Sequence, residues 1–133
     1  MTTINLLKRR SFLVNKIKTV KKPWGKELWF ACTKNYAGKI LFVNKGHRLS
    51  LQYHKLKEET LLLDKGILKL QTGTSLKNLK TRKLKPGTMF HLPPKTIHRM
   101  QAISDCRLIE VSTSQLTDVV RLDDDYNRIK RHK

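Results

Sequence analysis

The sequence predicts an all-β fold, a single sandwich or barrel of the jelly-roll type, and three observations carry that prediction. Short runs with a period of two follow one another from Lys26 onward. Turn residues separate them at regular intervals: Gly38, Gly46, "DKG", "TG", "PG" and "PP". At 133 residues and 38% hydrophobic content, the chain has room for one core and no more.

The elements follow in order. "KELWFACT" and "GKILFVNK" read as the first strands, with "RLSLQYH" and "ETLLLDKG" after them. "ILKLQTG", "TRKLKPG", "TMFHLPP", "TIHRMQAI" and "RLIEVST" continue the pattern. Asp64-Lys65-Gly66, between "TLLL" and "ILKL", is a hairpin signal. The apolar faces of "LFV", "LLL" and "LIEV" are the expected core. Residues 1–19 form a basic arm expected to pair as an edge strand or stay loose, and Pro23-Trp24-Gly25 reads as a packed turn at the barrel entrance. After Ser114 the chain turns polar, and "QLTDVVRLDDDYNRIKRHK" reads as a tail. Its acidic knot, Asp123 to Asp125, is suited to clamp that tail to the barrel by ion pairs.

Bulk composition excludes several classes. No apolar run reaches membrane length, and "SFLV" is too short for a signal-peptide core. Cys32 and Cys106 make no disulfide framework and no CxxC pair. Both sit in apolar runs as small hydrophobes, and the expected compartment is reducing, the cytoplasm. A formal charge of +19 favours phosphates, nucleic acid or anionic surfaces. The basic residues crowd the arm, "LKNLKTRKLK" and the tail, however, without the aromatic-plus-arginine surface of an RNA reader. Nucleic acid is thus a distant candidate partner, and the 77–85 segment is expected to be exposed and apart from the other basic stretches.

The chemistry concentrates in "GHRLSLQYHKLKEE", residues 46–59. Strict alternation puts Arg48, Ser50, Gln52 and His54 on one strand face. Glu59 opens the next strand, and His98 follows the Pro-rich turn of "PPKTIHRM". Each alone reads as an interior polar residue. A Gln oxygen, two imidazoles and a carboxylate together match the donor set of a divalent transition metal.

The spacing resembles the cupin motifs. Gly46-(five)-Gln52-x-His54-(four)-Glu59-(six)-Gly66 is similar to the first, G(x)5HxH(x)3–4E(x)6G, with Gln for its first His. Gly87-(five)-Pro93-x-Lys95-(two)-His98 resembles the second, G(x)5PxG(x)2H, with Lys95 in place of Gly. Within cupins, "KPWGKE", "RLSLQYH", "HLPPKTIHRM" and "LIEVSTSQLTDVVRLDDDYNR" resemble the C-terminal domain of type II mannose-6-phosphate isomerases. The resemblance implies a single cupin-type jelly-roll barrel over residues 20–128, with 129–133 as a basic tail. It implies Gln52, His54, Glu59 and His98 as ligands of a divalent metal, zinc first, with manganese, iron, cobalt or nickel as alternatives. It also implies a phosphorylated sugar or sugar nucleotide as partner, with a homodimer as the default assembly.

The implied activity is aldose–ketose isomerisation of the mannose 6-phosphate to fructose 6-phosphate type, through an enediol. Arg48, Ser50, Lys55, Lys57 and Arg99 are the candidate substrate contacts, and Arg48 and Arg99 are counted with the catalytic set. For the general base, His47, His91 and Glu58 are candidates. Parity turns His47 away from the ligand face, which leaves His91 preferred. Glu110 and Arg121 read as structural ion-pairing groups. The family run HHHRAEHW is here "HKLKEETL", so the rim has changed. That change favours, as alternatives, a non-catalytic cupin that binds a sugar phosphate or regulates a partner; an iron dioxygenase is disfavoured by Gln52.

Overall fold

The computed structural model describes residues 14–129. Eleven strands are found and no helix among the described residues. They are β1 (Lys18–Lys22), β2 (Gly25–Cys32), β3 (Ala37–Val43), β4 (Leu51–Tyr53), β5 (Glu59–Lys65), β6 (Leu68–Gly73), β7 (Lys80–Leu84), β8 (Met89–Leu92), β9 (Ile97–Ala102), β10 (Cys106–Ser112) and β11 (Val120–Asp123). Two antiparallel sheets hold them. One runs β1-β2-β3-β10-β5-β8 and the other β11-β4-β9-β6-β7. The molecule is a jelly roll of two facing sheets rather than one continuous ring.

Alternation decides what each strand buries. Along β5, Glu59, Leu61 and Leu63 turn inward while Leu62 is exposed. Along β10, Cys106, Leu108 and Glu110 turn inward, and along β3 Lys39, Leu41 and Val43 do so. Register aligns these residues into rows. Leu41, Leu108 and Leu63 form an apolar row, and Lys39 and Glu110 form a charged one. The six-stranded sheet therefore has an inner face that is apolar at one end and charged at the other. The apolar end packs with Leu49, Leu68, Leu70, Leu92, Met100 and Ala102 into the core. The charged end is where the site lies.

Several expectations change. Asp64-Lys65-Gly66 is not a hairpin: β5 and β6 belong to different sheets, so the turn is a corner of the sandwich. Gly66 makes that corner with φ +91°, and a Cβ there would stand 2.2 Å from the Asp105 carbonyl oxygen. The segment after Ser114 is not a mere tail. β11 pairs with β4, and Tyr126 packs on the core. Its polar composition hid it, because one of its faces lies against charge rather than against leucines. Part of the arm, Lys18–Lys22, pairs with β2 as an edge strand, while residues 1–13 and 130–133 lie outside the described residues. Cys106 is buried, but Cys32, the last residue of β2, is exposed. Lys77, Lys80, Arg82, Lys83 and Lys85 are exposed.

Gly66 supplies a stability test. Gly66→Ala must both adopt a left-handed φ and displace backbone, so it should cost more than the ~1–3 kcal/mol of a strained φ/ψ alone. Gly46→Ala shares a positive φ but has open space around its Cβ position, and should cost clearly less. Urea unfolding of both variants checks the order.

Candidate metal centre

β4, β9 and β11 lie side by side, and their register builds one wall. Gln52 stands opposite His98, and Arg121 opposite Gln52. Directly opposed residues share a face, so Arg121, Gln52 and His98 form a row across the sheet. His54 follows β4, and Glu59 faces them from the start of β5. The ligating atoms of His54, Glu59 and His98 all lie within 4.8 Å of one another. All three side chains are buried, His98 to 1% exposure.

Hydrogen bonds fix the rings. His54 Nδ1 lies 2.5 Å from the Asp118 carbonyl oxygen, and His98 Nδ1 lies 2.9 Å from that of Thr96. A carbonyl only accepts, so each Nδ1 donates, and each neutral ring keeps a bare lone pair on Nε2. Those Nε2 atoms are 3.6 Å from Glu59 Oε2 and Oε1, respectively, and neither has a hydrogen-bond partner. Burial pushes the His98 pKa down, against the pull of Glu59, and so favours the neutral ring. Burial works to raise Glu59, but the Lys57 ammonium beside it opposes that, and its pKa is held down at about 2. Two lone pairs thus face an ionised carboxylate, a repulsive arrangement that a cation placed among them would relieve. The donor set fits a divalent metal.

Gln52 lines the same cavity, and its Oε1 accepts a hydrogen bond of 2.6 Å from Ser50 Oγ. The amide oxygen has a second lone pair to offer. Asp118 organises the loop after His54: its carboxylate accepts from the backbone N–H groups of Lys55, Leu56 and Lys57, at 3.0, 2.7 and 2.9 Å. Sequence inspection missed Asp118, whose only signal was a lone acid in a polar segment.

Lys57 was expected to meet substrate; it is buried, lines the cavity and is committed to two carboxylates. Its Nζ lies 2.9 Å from Glu59 Oε2 and 3.1 Å from Glu110 Oε2. Burial opposes its charge, yet the two carboxylates raise its pKa above the ordinary lysine value. Glu110, as expected, is an ion-pairing group. Burial and the charge of Glu59 push its own pKa up.

The other proposed contacts leave the cavity. Arg48 was expected on the ligand face, but it bridges Gln101 whereas Gln52 pairs with His98, an offset of one residue that breaks the alternation. Arg48 instead makes a two-pronged ion pair with Asp125, at 2.7 and 2.9 Å. Arg99 alternates with the inward His98 and Met100. It bonds the Leu49 carbonyl and pairs with Asp123 at 3.0 Å. These two arginines, with the acidic knot, clamp β11 and the turn after it. Ser50 orients Gln52 rather than reaching outward. Lys55 is exposed on the far side of the loop, beside Tyr53 and Leu56. His91 is exposed on the outer face of β8 and bonds Glu58 at 2.5 Å. His47 is exposed as well. None of the three candidate bases lines the cavity.

The cavity measures about 80 Å³, room for several waters by the ~10–15 Å³ each requires. Among the described residues, five cations, Lys22, Lys39, Lys57, Arg121 and Arg128, line it against three carboxylates, Glu27, Glu59 and Glu110. The buried Trp24 also lines it.

Lys95 occupies the position where the second motif carries glycine, and its φ is +69°. Its N–H bonds the His54 carbonyl at 2.6 Å, so the left-handed turn holds the ligand strand. Lys95→Gly should therefore stabilise the protein by about 1 kcal/mol, read as a higher urea midpoint. Lys57→Met should do the reverse. It leaves Glu59 and Glu110 buried without their shared cation, and about 3–5 kcal/mol of stability should be lost by the same measurement.

Comparison with known proteins agrees with this geometry. The family model described as mannose-6-phosphate isomerase C-terminal matches residues 10–129. A comparison with curated proteins finds no match. Among solved structures, KdgF from Halomonas sp. is similar with TM-score 0.64 and 16% identity, over 77% of this chain and 91% of that one. CapF from Staphylococcus aureus gives 0.66 and 12%, over 80% and 34%. Oxalate decarboxylase from Bacillus subtilis gives 0.70 and 14%, over 80% and 30%. The chain spans about a third of the latter two proteins, and at such identities these likenesses establish the fold. Jelly roll, motif spacing and family match together place the chain in the mannose-6-phosphate isomerase C-terminal family of cupins.

Proposed function

We propose that the protein is a metal-dependent isomerase of sugar phosphates, acting on mannose 6-phosphate and fructose 6-phosphate. The observation that carries this reading is the pair of bare Nε2 lone pairs turned toward an ionised Glu59 inside a cationic cavity. His54, Glu59 and His98 would hold a divalent cation, with Gln52 as fourth donor and zinc as first choice; the B. subtilis oxalate decarboxylase is described with Mn(II) centres. The chemistry such a cation supplies is Lewis-acid polarisation of a carbonyl, which aldose–ketose exchange requires.

The chain's own residues do the rest. Asp118 and Thr96 carbonyls orient the imidazoles, and Lys57 keeps Glu59 ionised. The excess of cationic lining favours the negative charge that develops as a proton leaves the carbon next to the carbonyl. Isomerisation returns that proton to the neighbouring carbon, and the cavity carboxylates outside the cluster are Glu27 and Glu110.

A second reading has its own support. His91 and Glu58 pair with each other outside the cavity, which leaves no histidine beyond the cluster for proton transfer there among the described residues. That favours a cupin that binds a sugar phosphate without turning it over.

A coupled assay of mannose 6-phosphate conversion, run beside metal analysis, tests the first reading. Turnover should disappear with chelator, and His98→Ala should lose bound metal and at least ~100-fold in kcat/KM while staying folded. Metal retention and sugar-phosphate binding with no turnover would transfer the function to the binding reading. Turnover that survives chelation would overturn the metal-dependent mechanism.

A further inference from the structure

Arg121 is the least explained group at the cavity. Its place in the register row, beside Gln52 and two strands from His98, turns its side chain toward the metal cluster. Its Nε is buried and has no hydrogen-bond partner. Among the described residues no carboxylate lies within ion-pairing distance of it, although the neighbouring Arg48, Arg99 and Arg128 each have one. Arg121 was expected to be a structural ion-pairing group, and it is not.

Arg121 also has cationic company. Lys22, from the end of β1, and Arg128, after β11, line the same cavity. Asp124 takes both prongs of Arg128 at 3.0 Å, which leaves Lys22 and Arg121 without such a partner among the described residues. Burial first, then Arg128, pushes the Arg121 pKa down, with Asp124 opposing. Lys22 is pushed down by burial, against Glu27, with Lys39, Arg128 and Arg121 adding to the shift. Like charges gathered at a partly buried place cost free energy unless an anion joins them. An unpaired guanidinium offers that anion two parallel N–H donors, the geometry that fits a phosphate edge.

We propose that Arg121, supported by Lys22 and Arg128, is the site that takes the phosphate of a phosphorylated ligand whose sugar end reaches the His54–Glu59–His98 cluster. This rests on the sugar-phosphate reading of the cavity and names the residues that recognise the phosphate. The site takes over the role that Arg48, Arg99 and Lys55 would have had from sequence.

The test is calorimetric titration of the full chain with inorganic phosphate at physiological ionic strength. Wild type should bind saturably. Arg121→Gln should bind at least ~10-fold more weakly, with Arg121→Lys intermediate because it keeps the charge but loses the fork. Arg82→Gln, on an exposed strand away from the cavity, should bind like wild type. Metal content should be the same in all four. Should Arg121→Gln fail to fold, Lys22→Gln carries the test with an expected loss of about 3-fold. Absence of saturable binding in wild type, an unchanged affinity in the folded variant, or an equal loss in Arg82→Gln overturns the proposal. Phosphate binding through Arg121 without mannose 6-phosphate turnover would sink the isomerase reading and leave this site standing. Turnover with an unchanged KM in Arg121→Gln would do the opposite.

Discussion

A carboxylate buried between an ammonium and two imidazoles holds this molecule's polar half together. Glu59 is 3% exposed, yet it is ionised because Lys57 stands 2.9 Å away and is itself balanced by Glu110. Charges in such a place are tolerated only with close partners. That requirement orders everything around them. It draws the loop after His54 inward, puts Lys57 beneath β5, and sets the charged row of Lys39 and Glu110 next to the apolar row of Leu41, Leu108 and Leu63. Leucines at one end of the sandwich supply stability, while the other end uses that stability to keep costly groups in place.

The second dependence runs through the C-terminal segment. β11 is four residues long and only partly buried, so burial alone would hold it weakly. Arg48, Arg99 and the three consecutive aspartates make up the difference from outside, and Asp118 ties the approach to β11 onto the backbone of Lys55 to Lys57. Residues that look like substrate contacts in a motif are thus committed to architecture. Those that look like a solvated tail furnish Arg121 and Arg128 to the cavity.

The sequence was most informative where periodicity and spacing spoke together. Each of the nine alternating runs lies on a strand, and the motif spacing singled out His54, Glu59 and His98, which the fold brings within one cluster. What it concealed had physical reasons. Alternation could not place Arg48, because the register against β9 slips by one residue between Arg48 and Gln52. The turn at Gly66 could not reveal whether its strands pair, since a corner and a hairpin use the same residues. β11 was invisible because it is only four residues long and carries Arg121 on its cavity side, and with it the cationic side of the cavity was missed. His91 had the right chemistry on the wrong side of its strand, a difference of one residue in register.

The strand order carries a consequence for how the chain acquires its site. β4, which brings Gln52 and leads to His54, sits between β9 and β11, both encoded far downstream. The bonds that fasten it span 77 residues from Arg48 to Asp125 and 63 from Lys55 to Asp118. Pairings of such separation form late and slowly, after the long intervening loop has been closed. During synthesis, the first motif must therefore wait as an unpaired segment until residues as late as Asp118 and Asp125 have emerged. The charges that flank it, Arg48, Lys55 and Lys57, and its brevity as a strand, are what keep that waiting edge from pairing with another chain.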